Sequence, residues 1–125
     1  SVAIYNLKTN KETQPKVKGK NWILVAQGCH SCSELLTALT TFCKGKKPNP
    51  AQIGFFVTGS SLPAMFEKLK DFKESYEIFS GSPNELYESY KLMGSPSLRS
   101  KNEKIIVGKD SILQYLKKDS QFCSS

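Results

Sequence analysis

The sequence predicts an α/β fold, and three observations carry that expectation. Two apolar runs, residues 22–27 and 53–58, alternate with segments whose apolar residues recur at helical spacing. The first run is apolar on both faces, as a central strand covered by helices must be. Strand and helix then succeed one another three times, the pattern of parallel strands joined by right-handed crossovers. At 125 residues the chain is expected to form a single domain, residues 1–125, with a core large enough to stand without staples.

Taken in order, residues 2–7 alternate, with Val2 and Ile4 on one side and Ala3, Tyr5 and Leu7 on the other, and read as a short first strand. Residues 8–20 are polar and lysine-rich, contain Pro15 and Gly19, and carry no helical stripe. A β-turn and irregular chain are expected there, with Val17 pairing locally. After the strand at 22–27, Leu35, Leu36, Leu39, Phe42 and Cys43 form one helical face. That helix ends before Gly45, where Lys44, Lys46 and Lys47 suit the negative end of its dipole and Pro48 and Pro50 prevent continuation.

Residues 53–58 form a second buried strand, and Ser61 with Pro63 opens a helix whose stripe is Leu62, Met65, Phe66, Leu69 and Phe72. Residues 76–79 make a third core strand. Ser82-Pro83-Asn84-Glu85 combines an S-x-x-E capping box with a proline at the first helical position, and Leu86, Tyr87, Tyr90 and Met93 form the expected buried face behind it. Residues 98–100 and 105–107 flank Lys101-Asn102-Glu103-Lys104 and read as a hairpin. Asp110 is expected to cap a last helix carrying Ile112, Leu113, Leu116 and, two turns on, Cys123.

The candidate active site is Gly28-Cys29-His30-Ser31-Cys32, at the junction between the strand at 22–27 and the helix that follows. Two cysteines separated by two residues can close a small disulfide while the first sulfur faces the unpaired N–H groups of the helix start. The partial positive charge there stabilises a thiolate, so Cys29 is the expected nucleophile for thiol–disulfide exchange and Cys32 the resolving cysteine.

These residues resemble the thioredoxin superfamily. Cys29-His30-Ser31-Cys32 follows a buried strand, and Gly94-Ser95-Pro96-Ser97-Leu98, ahead of a short hairpin and a last helix, is similar to the family's cis-proline loop. The resemblance covers most of the chain and implies a central mixed β-sheet flanked by helices on both faces. Against a minimal thioredoxin, the helix at 62–72 and strand at 76–79 look like an inserted crossover unit, as in envelope thioredoxins related to cytochrome maturation and to peroxiredoxins. The resemblance also implies a cis peptide bond before Pro96, setting a backbone edge beside the nucleophile where a substrate strand can pair, with Ser95 facing the sulfurs and tuning selectivity. His30 either stabilises the Cys29 thiolate or faces solvent from the turn. Ser31 is expected at the helix start, donating to sulfur. If the fold is thioredoxin-like, Cys43 and Cys123 meet at the end of the molecule away from the motif, where they form a structural disulfide or stand as two free thiols.

Two departures bear on mechanism. The family often has a tryptophan where this chain has Gly28, and often a buried acid in the preceding strand where Ile23 and its neighbours are apolar. Proton removal from Cys32 then has no obvious base; Glu34 is a candidate, or else a favourable charge near the helix start. The direction of electron flow stays open.

The net charge of +7 comes from lysines scattered along the whole chain and one arginine, Arg99. Nucleic-acid readers favour arginine forks and stacked aromatics, so nucleic acid is not an expected partner. No apolar run is long enough to span a membrane, and no charged-then-apolar leader opens the sequence. The start at Ser1 leaves open a removed signal or a membrane tether outside the given chain. Four cysteines, two of them outside the motif, point to an oxidising compartment, and a periplasmic or otherwise extracytoplasmic place in the bacterial envelope is expected. The expected function is that of a monomeric thiol–disulfide oxidoreductase acting on protein thiols and disulfides with a redox partner protein, needing no cofactor and no metal. Two alternatives stand beside it. In one, Cys29, His30 and Cys32 hold copper, as in a thioredoxin-fold metal chaperone. In the other, Cys29–Cys32 is a fixed bridge in a non-catalytic interaction module.

Overall fold

The computed structural model describes residues 3–123; Val2, assigned above to the first strand, lies outside the described residues. The elements are β1 (Ile4–Asn6), β2 (Lys11–Thr13), β3 (Asn21–Ala26), α1 (His30–Thr41), β4 (Ile53–Thr58), α2 (Leu62–Lys68), β5 (Ile78–Ser80), α3 (Pro83–Tyr90), β6 (Ser97–Arg99), β7 (Ile105–Val107) and α4 (Lys109–Lys117). The strands form a mixed seven-stranded sheet in the order β2-β1-β5-β4-β3-β6-β7. Its centre, β5-β4-β3, is parallel, and the strands outside it pair antiparallel.

Alternation along the central strands sends side chains to two cores, as the fold class predicts. Ile23 and Val25 of β3 and Phe55 and Val57 of β4 pack with Leu35 and Leu39 of α1, Met65 of α2 and Ile112 and Leu116 of α4. On the opposite face Trp22, Leu24 and Phe56 pack with Leu86 and Tyr90 of α3. Trp22 lies so close to its neighbour Gly54 in β4 that a Cβ there would fall 2.4 Å from the indole ring. Only glycine fits beneath it.

The first difference from expectation is β2, a strand where irregular chain was predicted. Lys11-Glu12-Thr13 has no apolar alternation to betray it; it pairs with β1 through backbone alone. The reversal is built by Asn6, whose side-chain oxygen accepts from the Lys8 and Thr9 N–H groups, and by Asn10 in the left-handed region at φ 56°.

Helix α2 stops at Lys68, one turn short of its apolar stripe. Ser61 caps it by accepting from the Ala64 N–H, Leu62 stays exposed, and Leu69 and Phe72 are buried from the turns that follow. Tyr76 likewise precedes β5; its buried hydroxyl donates to the Pro48 carbonyl.

Helix α3 starts as predicted, with Ser82 accepting from the Glu85 N–H and Pro83 at the first position. Tyr87 and Met93, expected to be buried, are instead 47% and 59% exposed. Lys91 turns left-handed at φ 62° and ends the helix, so the 3.6-residue period does not extend to Met93, and Leu92 enters the core in its place. Asp110 is not the cap of α4 either. Gly108 holds that position, and Asp110 lies in the first turn, where its charge suits the helix dipole.

Away from the motif, buried Asn21 at the start of β3 ties three segments together. Its amide donates to the Gln52 carbonyl and to Asp119, and its oxygen accepts from the Lys101 N–H. Nearby, Cys43 and Cys123 are joined by a disulfide with Cα atoms 5.3 Å apart, and Phe42 meets Phe122 edge to face at 5.5 Å.

Candidate active site

Strand β3 delivers the chain to the motif, and Gly28 makes the reversal. Its φ of +80° is a conformation that costs a side-chain-bearing residue about 1–2 kcal/mol, so a side chain at this position would be strained in the backbone seen here. The Cys29 N–H then donates to the Ala26 carbonyl, and Cys29 takes the extended conformation of an N-cap, φ −89° and ψ 111°.

In this position the Cys29 sulfur does what a serine or aspartate oxygen does at other helix starts: it accepts the Cys32 N–H at 3.1 Å. Cys29 and Cys32 are joined by a disulfide, Cα to Cα 5.2 Å. The two sulfurs are not equivalent. Cys29 is half-buried, whereas Cys32, inside the first turn of α1, is fully buried against the core.

The Ser31 hydroxyl lies 3.7 Å from the Cys29 sulfur, and since a bridged sulfur carries no proton the hydroxyl is the donor. On the other side stands the loop before β6. The Ser95–Pro96 peptide bond is cis, and the Ser95 carbonyl oxygen is 3.6 Å from the Cys29 sulfur. Ser95 therefore meets the sulfur with its backbone rather than its hydroxyl. That oxygen can accept a thiol proton but repels a thiolate, so it opposes the pull of the Cys32 N–H.

His30, the first residue of α1, is 88% exposed, and its ring faces the Glu34 carboxylate at 3.5 Å. Its solvent-facing placement is the second of the two readings above. Glu34 in turn accepts from Lys109 of α4 at 3.1 Å. That hydrogen bond, together with the charges of Lys109 and His30, holds the Glu34 carboxyl below its ordinary pKa. Among the described residues no group of three or more histidine, cysteine or acidic side chains is placed to hold a metal ion. No helix among them is long and apolar enough to cross a membrane.

One contact had no signal in the sequence. Lys68, the last residue of α2, reaches to the motif and donates to the Cys29 carbonyl at 3.0 Å and to the Ser33 hydroxyl at 2.8 Å. Nothing in the local spacing distinguishes it from other lysines at helix ends, because the contact spans 39 residues.

No family model matches the chain, and no curated protein matches it significantly. Solved structures do. The thioredoxin domain of a thiol-disulfide oxidoreductase from Bacteroides vulgatus aligns with a TM-score of 0.61 at 18% identity, over 95% of this chain and 91% of that one. A secreted disulfide oxidoreductase of Mycobacterium tuberculosis, homologous to E. coli DsbE, aligns at 0.56 with 15% identity, over 85% and 80%. StoA from Bacillus subtilis aligns at 0.54 with 19% identity, over 93% and 95%. With the helix-start cysteine pair set against the cis-proline loop on a mixed sheet, the chain is a thioredoxin-fold protein.

Proposed function

We propose that the chain is a single-domain thiol–disulfide oxidoreductase in which Cys29 exchanges with partner proteins and Cys32 resolves. The observation that carries this reading is the inequality of the two sulfurs. Cys29 is reachable and accepts a helix-start N–H, whereas Cys32 is sealed in the core. In the reducing direction, the Cys29 thiolate attacks a partner disulfide, one partner sulfur leaves as thiolate, and a mixed disulfide forms. Cys32, whose proton passes to the partner thiolate released in the first step, then attacks the Cys29 sulfur, closes the Cys29–Cys32 bond and releases the second partner sulfur as a thiolate. The oxidising direction runs through the same bonds in reverse, starting from a partner thiolate at Cys29.

The cis-Pro96 loop supplies a backbone edge beside the nucleophile for an extended partner segment. A second disulfide and the secreted relative among the similar structures support an extracytoplasmic place, where such bonds persist.

The test is equilibration in glutathione buffers of graded potential, trapping by alkylation and reading each cysteine peptide by mass spectrometry. Cys29 and Cys32 are expected to titrate together as a two-electron couple. A midpoint near about −270 mV assigns a reducing role and one near about −120 mV an oxidising role. A pair that never exchanges with glutathione sinks the redox reading.

A further inference from the structure

The motif's immediate surroundings hold one cation that the redox chemistry described so far does not use. Lys68 comes from α2, on a different segment from the cysteines, and its ammonium is bonded to the backbone oxygen of Cys29 itself. Its second bond, to Ser33, fixes it against the first turn of α1. The cleft beside it is also lined by Gly28, Glu67, Lys70 and Asp71. Glu67 pairs with Lys70 at 3.1 Å, and on the far side of the motif Glu34 is engaged by His30 and Lys109. Among the described residues no carboxylate is within ion-pair distance of Lys68, and the nearest acidic groups of the cleft are Glu67, held by Lys70, and Asp71.

We propose that Lys68 is a positioning residue for Cys29: its ammonium clamps the nucleophile's backbone at the helix start and adds a positive charge, engaged in no ion pair, that favours the thiolate. This deepens the redox reading above and rests on it. The ammonium is 3.0 Å from the Cys29 oxygen, and the covalent path from that oxygen to the sulfur spans at most about 5 Å. Charge and sulfur are therefore within about 8 Å, near the Debye length at physiological salt. Burial, which lowers the Lys68 pKa, also keeps part of this field out of water. The effect runs with the Cys32 N–H and against the Ser95 carbonyl, so Lys68 helps decide which form of Cys29 prevails.

The experiment measures the pKa of Cys29 by the pH dependence of its alkylation rate. It follows the Cys29 peptide by mass spectrometry in a Cys32→Ser background, with Lys68→Met, Lys68→Gln and Lys68→Arg added in turn. Removing the charge is expected to raise the Cys29 pKa by about 0.5–1 unit, a three- to tenfold loss of thiolate at a pH below it. Lys68→Arg is expected to restore most of the shift, which a merely structural role would not do. A shift below about 0.2 unit in both neutral variants, or an equal shift in all three, overturns the proposal. Thermal melting confirms that each variant is folded, and the glutamine variant stands in if the methionine variant is not. The alkylation profile needs no redox partner, so its failure is distinguishable from failure of the glutathione titration.

Discussion

Replacing Cys43 and Cys123 together by serine removes the covalent tie at the end of the sheet away from the motif. The bond spans a sequence separation of 80. In the chain-entropy treatment a closed loop of about 80 residues restricts the unfolded chain by about 4.5 kcal/mol at 25 °C. Little of the native contact set is lost with the bond. Phe42 still meets Phe122, the Asn49 N–H still donates to the Phe122 carbonyl at 2.9 Å, and Asp119 still pairs with Lys101 at 3.2 Å. The loss therefore falls on the unfolded side of the equilibrium. Taking a urea slope of about 1.5 kcal/mol per M, the midpoint of unfolding falls by about 3 M. The assay is equilibrium urea unfolding of both proteins under non-oxidising, non-reducing conditions, with both repeated in strong reductant. With both proteins in strong reductant, so that Cys29–Cys32 is open in each, the wild type is expected to match the double-serine variant. A loss below about 1 kcal/mol, with the slope unchanged, would refute the loop-closure reasoning. Alkylation kinetics of Cys29 after mild reduction of its bond to Cys32 should stay within about twofold, because the length of α1 stands between Cys32 and Cys43.

Gly54→Ala is expected to cost about 1–3 kcal/mol, because the new methyl meets the Trp22 ring and that ring cannot step aside. Phe56 and Phe79 stand against it at 5.1 and 5.7 Å, and its N–H is bonded to the Val17 carbonyl at 2.8 Å. Thermal or urea unfolding within about 0.5 kcal/mol of wild type would show that the sheet relaxes there. Asp119→Asn tests the Asn21 junction through pH. Burial raises the Asp119 carboxyl, but the Gln121 N–H, Lys101 and Asn21 together more than offset this and leave its pKa lowered. A carboxylate held low in the folded state stabilises above its unfolded pKa, about 3.9, and that stability is lost as pH falls through the folded value. The variant should thus be less stable than wild type by about 1 kcal/mol at pH 7, and the gap should close below pH ~4. A gap independent of pH would show that charge has no part in it.

Much of this fold was legible because its core strands are apolar on both faces. Residues 22–27 and 53–58 differ from β3 and β4 by at most one residue at either end, and Ser82-Pro83 marks the start of α3 to the residue. What escaped had no periodic signature. Strand β2 is polar throughout and is held by backbone pairing, which no side-chain pattern records. Met93 continues a helical stripe on paper, but the left-handed Lys91 ends the helix before it, and Tyr87, inside the helix, lies at the exposed margin of the face that Leu86 and Tyr90 bury. At the site, the cysteines could be placed because their spacing is tied to their role, and Pro96 because its loop resembles that of the thioredoxin superfamily. Lys68 and Lys109 could not, since their partners lie 39 and 75 residues away and each is one lysine among many. Asn21 reads in sequence as a polar residue ahead of a strand, and only the convergence of three segments on it makes it a buried junction.

The position of Trp22 has a practical consequence for spectroscopy. It is the only tryptophan in the chain, and it is fully buried on the α3 face of the sheet, while Cys32 is buried on the opposite face. Gly28 stands where a neighbouring indole would otherwise sense the sulfurs. Intrinsic fluorescence will therefore follow the opening of the aromatic cluster formed with Phe56 and Phe79. It will be nearly blind to whether the Cys29–Cys32 bond is open or closed. An emission change on mild reduction would signal a rearrangement carried through the sheet, and a silent emission would leave fluorescence as a pure reporter of unfolding, usable at any redox poise.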